Sequence, residues 1–174
     1  NKNINKGIIW HTQGSGKTAL AYFNVEHLSN LFQKKGVLTK FYFVVDRVDL
    51  LKQAMKEFSA RGLKVHTVSS RDELYRDFQS NRTTHNFKGE NEITIVNIQQ
   101  FSENTAALNI EEQNSIQRIY FIDEVHRSYK AKGSFLYNLM SSDKNAITIG
   151  LTGTPLIKDG ESSKEIFGDY IHKY

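Results

Sequence analysis

The sequence predicts an α/β fold in three layers, with a mostly parallel central sheet flanked by helices. Three observations lead there. Short, almost continuously apolar runs recur along the chain, as expected of central strands covered on both faces. Stretches of helical periodicity separate these runs, and strand–helix alternation implies a parallel sheet with right-handed crossovers. A glycine-rich segment, His11 to Thr18, lies directly between the first apolar run and the first amphipathic stretch.

The strand candidates are residues 7–10, 41–45, 64–68, 93–97, 118–122 and 146–151. A first helix is expected over about 17–34, with Leu20, Phe23, Leu28, Leu31 and Phe32 turned inward and Gly36 ending it. A second spans about 49–60, with Leu50, Leu51, Ala54 and Phe58 inward and Gly62 as its stop. A third starts at Ser70, where Ser70 and Glu73 form a capping box, and a fourth covers about 134–141. Two polar stretches, 80–91 and 102–114, break the rhythm and read as loops, the most mobile parts of the chain.

The bulk numbers fit one globular domain. The 174 residues can bury a substantial core, and 39% hydrophobic with 24% charged residues excludes a disordered chain. No apolar run approaches the ~20 residues of a membrane span, so no membrane partner is expected. Cysteine is absent, which excludes disulfides and cysteine-ligated metals and fits a cytoplasmic, reducing compartment. The six histidines show no zinc-type spacing. A net charge of +4, from 23 Lys and Arg against 19 Asp and Glu, permits a DNA partner without demanding one.

The loop H-T-Q-G-S-G-K-T carries the first piece of chemistry. Gly14 and Gly16 lack a Cβ, so the backbone can curl and turn its N–H groups inward. The helix that follows adds partial positive charge at its N-terminus. Lys17 supplies a full charge for β and γ phosphates, and the Thr18 hydroxyl can ligate Mg²⁺. Gln13, Gly14, Ser15, Gly16, Lys17 and Thr18 are thus the expected triphosphate-binding set. His11 stands where the general pattern G-x-x-x-x-G-K-[ST] has glycine.

The strand at 118–122 ends in Asp123-Glu124-Val125-His126. Paired acids at the tip of a buried strand are costly unless something positive meets them. In a parallel sheet that tip shares an edge with the phosphate loop. Asp123 is placed to hold Mg²⁺, and Glu124 to polarise a water attacking the γ-phosphate. The strand at 146–151 delivers Thr152-Gly153-Thr154-Pro155, whose hydroxyls can bond a carboxylate, a histidine or a phosphate-linked water, or simply satisfy their own turn.

Taken in order, G-S-G-K-T, D-E-V-H and T-G-T-P resemble the first RecA-like motor domain of superfamily 2 helicases and translocases, a P-loop NTPase fold. The fuller wording, G-I-I-W-H-T-Q-G-S-G-K-T, F-V-V-D-R-V-D-L-L-K-Q, F-I-D-E-V-H-R-S and G-L-T-G-T-P-L, is similar to the motor (R) subunit of type I restriction enzymes. That resemblance implies an ATP-driven translocase of double-stranded DNA. It also implies a second RecA-like domain and a nuclease domain in the same polypeptide, and partner specificity and methyltransferase subunits. Residues 1–155 would form the first motor domain, and 156–174 an exit segment toward the second.

Carried onto this chain, the resemblance gives Lys17, Asp123 and Glu124 catalytic roles with ATP and Mg²⁺. His126, Thr152 and Thr154 would couple nucleotide state to DNA, and Arg47, Gln99 and Gln100 would touch it. Val125 replaces the usual alanine of D-E-A-H, a small packing change. The arginine fingers of a second domain are not in this sequence. The chain alone is therefore expected to turn nucleotide over slowly, since such a finger contributes roughly 10³–10⁵ in rate. Alternatives are a helicase or RNA-remodelling ATPase of the same superfamily, or a nucleotide- or DNA-docking module without turnover. The last sits poorly with an intact Lys17, Thr18, Asp123 and Glu124.

Overall fold

The computed structural model describes residues 5–12, 14, 16–101, 115–125, 135–154 and 167–173. Among these residues seven strands form one sheet: β1 (Lys6–Trp10), β2 (Leu38–Val45), β3 (Lys64–Val68), β4 (Glu92–Asn97), β5 (Ile116–Ile122), β6 (Ile147–Thr152) and β7 (Tyr170–Lys173). Their spatial order is β3-β4-β2-β5-β6-β1-β7, and every pairing is parallel. All strand C-termini therefore reach one rim. The helices are α1 (Lys17–Gln33), α2 (Val48–Ala60), α3 (Arg71–Gln79) and α4 (Phe135–Ser142).

Alternation along the central strands builds two cores. Phe41, Phe43 and Val45 of β2 and Ile119 and Phe121 of β5 meet Ala21 and Val25 of α1 and Ala54 and Phe58 of α2. Tyr42, Val44, Tyr120 and Ile122 face the other way, onto Leu74 and Phe78 of α3 and Leu136, Leu139 and Met140 of α4. Strands loaded on both faces read as the unbroken apolar runs of the sequence.

One expectation for α1 fails. Leu20, Leu28 and Phe32 do pack toward the sheet, but Phe23 is 65% and Leu31 40% exposed. The inward ridge runs through Ala21 and Val25; Phe23 lies on nearly the opposite face of the helix, and Leu31 about 100° off the ridge, on its flank. Ser70 caps α3 as expected, but the box closes differently. Ser70 Oγ accepts from Glu73 N, but the Glu73 carboxylate reaches back to Ser69, not to Ser70. Residues 81–91 contain no helix or strand, as expected of a loop, and 102–114 lie outside the described residues. β7 was not legible at all, being four residues with an exposed outer face.

The sequence also concealed a layer of buried charge. Lys40 and Arg118 are register partners on β2 and β5, and both are buried. Lys40 Nζ lies 3.6 Å from Asp77 Oδ1 and donates to the backbone carbonyls of Asp77 and Ser80. Arg118 grips Asp143 through Nε at 2.6 Å and Nη2 at 3.2 Å. Two strand positions on, Tyr42 and Tyr120 stack at 5.0 Å and donate to Asp77 and Asp143 respectively. The network anchors α3 and the end of α4 to the sheet away from the C-terminal rim. Removing one partner of such a pair strands a buried charge. Asp143→Ala should therefore destabilise the protein by about 3–5 kcal/mol, read by urea denaturation. Tyr120→Phe should cost less, about 1–2 kcal/mol.

Candidate active site

β1 is a central apolar strand, and the chain leaves its C-terminus directly into the glycine-rich loop. Gly14 (φ +80°) and Gly16 (φ +87°) both take left-handed backbone, which a side chain would oppose. Gly16 is the N-cap of α1 and places no side chain over the first turn, while Leu20 N already bonds to its carbonyl. The N-cap residue thus places no side chain on the leading N–H groups of α1, as an anion at a helix N-terminus requires. Gln13 and Ser15 lie outside the described residues.

β5 brings the acids to the same rim. Asp123 N bonds to the Val44 carbonyl, continuing the β5–β2 ladder one step past the strand. The backbone then turns at Glu124, whose φ of +52° is the only positive value outside glycine among the described residues. That conformation costs about 1–2 kcal/mol and swings the side chain out of the sheet direction. Lys17 Nζ lies 3.2 Å from Glu124 Oε1, with the two side chains only 11% and 14% exposed. Lys17 and the acid pair thus converge, although they come from separate strand–helix units.

The Asp123 carboxylate accepts from Glu124 N at 3.0 Å. Burial, followed by the adjacent Glu124 charge, pushes its pKa up to about 6 from 3.8, against the opposing pull of Lys17. Val125, buried beneath the acids, packs over Gly150 of β6, where a Cβ would come within 3.0 Å of its Cγ1. The valine that departs from D-E-A-H is accommodated by a glycine on the neighbouring strand. His126 lies outside the described residues.

Thr152 ends β6 and is fully buried. Its hydroxyl donates to the Thr154 carbonyl and accepts from Thr154 N, and its own carbonyl accepts from His11 N. Thr152 and Thr154 thus close their own turn while touching the start of the glycine-rich loop. Arg47 is the exposed N-cap of α2, with Nε 3.7 Å from the buried Asp46. Gln99 is exposed on a short 3₁₀ turn, Ile98–Gln100, that follows β4. Because β2 and β4 are neighbours, Arg47 and Gln99 share a rim segment. The Gln100 side chain is outside the described residues.

A cavity of about 380 Å³ opens over this rim, lined by Gly14, Gly16, Lys17, Thr18, Asp123 and Glu124. Its far wall is α2, through Gln53, Glu57 and Arg61. Gln53 and Arg61 both bond to Glu57. Sequence reading missed this wall, because an exposed polar helix face looks the same whether or not a cavity lies against it. The volume suits a nucleotide. Thr18 and Asp123 are the donor set that fits Mg²⁺, which takes one or two protein oxygens and completes its shell with water and phosphate. Among the described residues no cluster of three or more His, Asp or Glu could cage a metal alone.

Fold and site together define a nucleotide-binding domain of the RecA-like class. The chain belongs to the SWI2/SNF2 ATPase family, whose profile matches residues 1–174. It is 29% identical over 98% of its length to the type I restriction enzyme SauCOLORF180P endonuclease subunit of Staphylococcus aureus. Similarity to the HindI endonuclease subunit of Haemophilus influenzae is 30% over 97% of the chain. The chain spans only 18% and 16% of those two relatives. Among solved structures, the Pyrococcus furiosus Hef helicase domain aligns with a TM-score of 0.64 at 15% identity, over 98% of this chain and 35% of that one. A nuclease-deletion mutant of the Type ISP restriction-modification enzyme LlaGI, solved with a DNA substrate mimic, aligns at 0.59 and 18%, over 99% and 18%. These two share the fold. No helix among the described residues is long and apolar enough to cross a membrane.

The raised Asp123 value has a stability consequence. Folded Asp123 keeps its proton at pH values where the unfolded chain has lost it, so ionisation costs stability. That cost is absent below about pH 4, grows between about 4 and 6, and is complete above. Asp123→Asn should therefore stabilise the metal-free protein at pH 8 by about 1–3 kcal/mol and have little effect at pH 4, as measured by thermal melting at the two pH values.

Proposed function

We propose that this chain is the ATP-binding motor half of an ATP-dependent double-stranded DNA translocase, the R subunit of a type I restriction enzyme. The observation that carries the ATPase part is the convergence of Lys17 with Asp123 and Glu124 beside the glycine-rich turn. The restriction-enzyme part rests on the similarity to endonuclease subunits along 97–98% of the chain. In this reading the nuclease, a second RecA-like domain and the DNA-specificity and methyltransferase subunits are supplied by the rest of the polypeptide and the complex.

In the proposed reaction Lys17 and the first N–H groups of α1 hold the β and γ phosphates. Thr18 and Asp123 would hold Mg²⁺, which when bound would supply positive charge to neutralise the phosphates. Lys17 exchanges its contact with Glu124 for the phosphate oxygens, leaving the carboxylate to accept a proton from the attacking water. The left-handed turn at Glu124 fixes that carboxylate at the rim and not in the sheet. Thr152 and Thr154, tied to His11 through the Thr152 carbonyl, would register the state of the loop. Arg47 and Gln99 would lie against DNA phosphates, where positive charge and amide donors position a backbone without reading sequence.

Lys17→Ala in the full-length subunit should abolish nucleotide binding and DNA-stimulated ATPase. Glu124→Gln should leave nucleotide binding within about threefold of wild type and lower the hydrolysis rate by about 10²–10⁴, measured by phosphate release. Near wild-type turnover in Lys17→Ala, or equal loss of binding and turnover in Glu124→Gln, would contradict the assignment. Replacing duplex DNA by single strands or RNA as the stimulating polymer should lower ATPase, which separates this reading from a helicase or RNA remodeller.

A further inference from the structure

The edge strand β7 is fitted to β1 with more care than a passing segment needs. Phe167, just before it, is fully buried in the core under α3 and α4. Gly168 follows with φ +81°, and a Cβ there would come within 2.8 Å of the Lys6 carbonyl oxygen. Ile8 N bonds to the Asp169 carbonyl at 2.9 Å. Ile171 lies across Gly7, where a Cβ would approach its side chain to 2.6 Å. Two glycines, one on each segment, thus allow an approach that any side chain would obstruct.

The pairing then contains a bulge. Ile8 pairs with Tyr170, but Ile9 pairs with His172 and Trp10 with Lys173, so Ile171 is the extra residue. A bulge re-aims the side chains beyond it, and bulges recur beside active sites for that reason. Here the re-aimed residue is His172. Its ring sits 5.9 Å from the ring of His11, tilted by 39°. His11 is the first residue of the glycine-rich loop, and its N–H bonds to the Thr152 carbonyl. It stands where the general loop pattern has glycine, which would offer no ring to hold.

We propose that β7 braces the phosphate loop, with His172 and His11 as positioning residues that fix the loop's leading edge. Neither histidine is among the residues that line the cavity. Their contact holds the exit of β1 at the angle from which Gly14, Gly16 and Lys17 meet the phosphates, and a loop held in advance binds its ligand at lower entropic cost. The role depends on the phosphate-binding reading given above.

The test uses the full-length subunit, with mant-ADP as the binding probe and DNA-stimulated hydrolysis of ATP. His172→Ala should weaken mant-ADP binding and raise KM for ATP, each by about two- to tenfold, the scale of one aromatic pair. The kcat should stay within about twofold, because the chemistry is untouched. His172→Phe, which keeps a ring, should restore both Kd and KM, and melting temperatures of all variants should match wild type. Unchanged Kd and KM in His172→Ala, or a His172→Phe variant as weak as the alanine, would overturn the brace. Lys17→Ala run alongside separates the two readings. If it abolishes mant-ADP binding while His172→Ala changes nothing, the brace alone fails. If Lys17→Ala binds normally, the phosphate-loop assignment fails and the brace with it.

Discussion

The ion pair between Lys17 and Glu124 joins residues 107 positions apart, and the site depends on it. It can exist only because β1 and β5 run parallel in the same sheet, separated by β6 alone. Parallel strands send their C-termini to one rim, so the loop after β1 and the acids after β5 arrive together. An antiparallel β5 would have placed Asp123 and Glu124 on the opposite end of the molecule. The lysine also answers the electrostatic problem of two adjacent carboxylates at the tip of a buried strand, since a positive charge within reach lowers the cost of ionising them. Even so, Asp123 remains hard to ionise, because burial and the Glu124 charge together outweigh Lys17.

Away from that rim, a second set of charges has a different purpose. Lys40, Asp77, Arg118 and Asp143 are paired, hydrogen-bonded and sealed between the sheet and α3 and α4. They lie toward the N-terminal halves of β2 and β5, far along the strands from the glycine-rich loop. The two groups divide the molecule. Buried ion pairs near the strand beginnings tie α3 and the end of α4 to the sheet. At the strand ends, Lys17 and the α1 N-terminus keep positive potential where an anion can reach it.

Membership of an ATPase family and the geometry of the rim reinforce each other from independent directions. The family match rests on residue order along the chain, whereas the rim is a property of three-dimensional placement. The chain spans less than a fifth of the length of the two restriction endonuclease subunits it is similar to.

By itself the sequence determined six of the seven described strands, the four described helices, the order of loop and acids, and the glycine-rich turn after β1. Those features are written in local signals: apolar runs, helical periodicity, glycines and adjacent carboxylates. Tertiary structure alone decided several others. It turned Phe23 and Leu31 outward, because Ala21 and Val25 set the inward ridge of α1 and burial depends on what stands opposite. It buried Lys40 and Arg118, whose partners Asp77 and Asp143 come from distant helices and leave no periodic trace. It set Gln53, Glu57 and Arg61 beside a cavity that exists only once α2 lies over the sheet. It also seated β7, whose short polar-edged sequence acquires a strand's identity from the two-glycine fit against β1. Local propensity is readable in order along a chain; complementarity between remote surfaces has no sequence period, and folding is what reveals it.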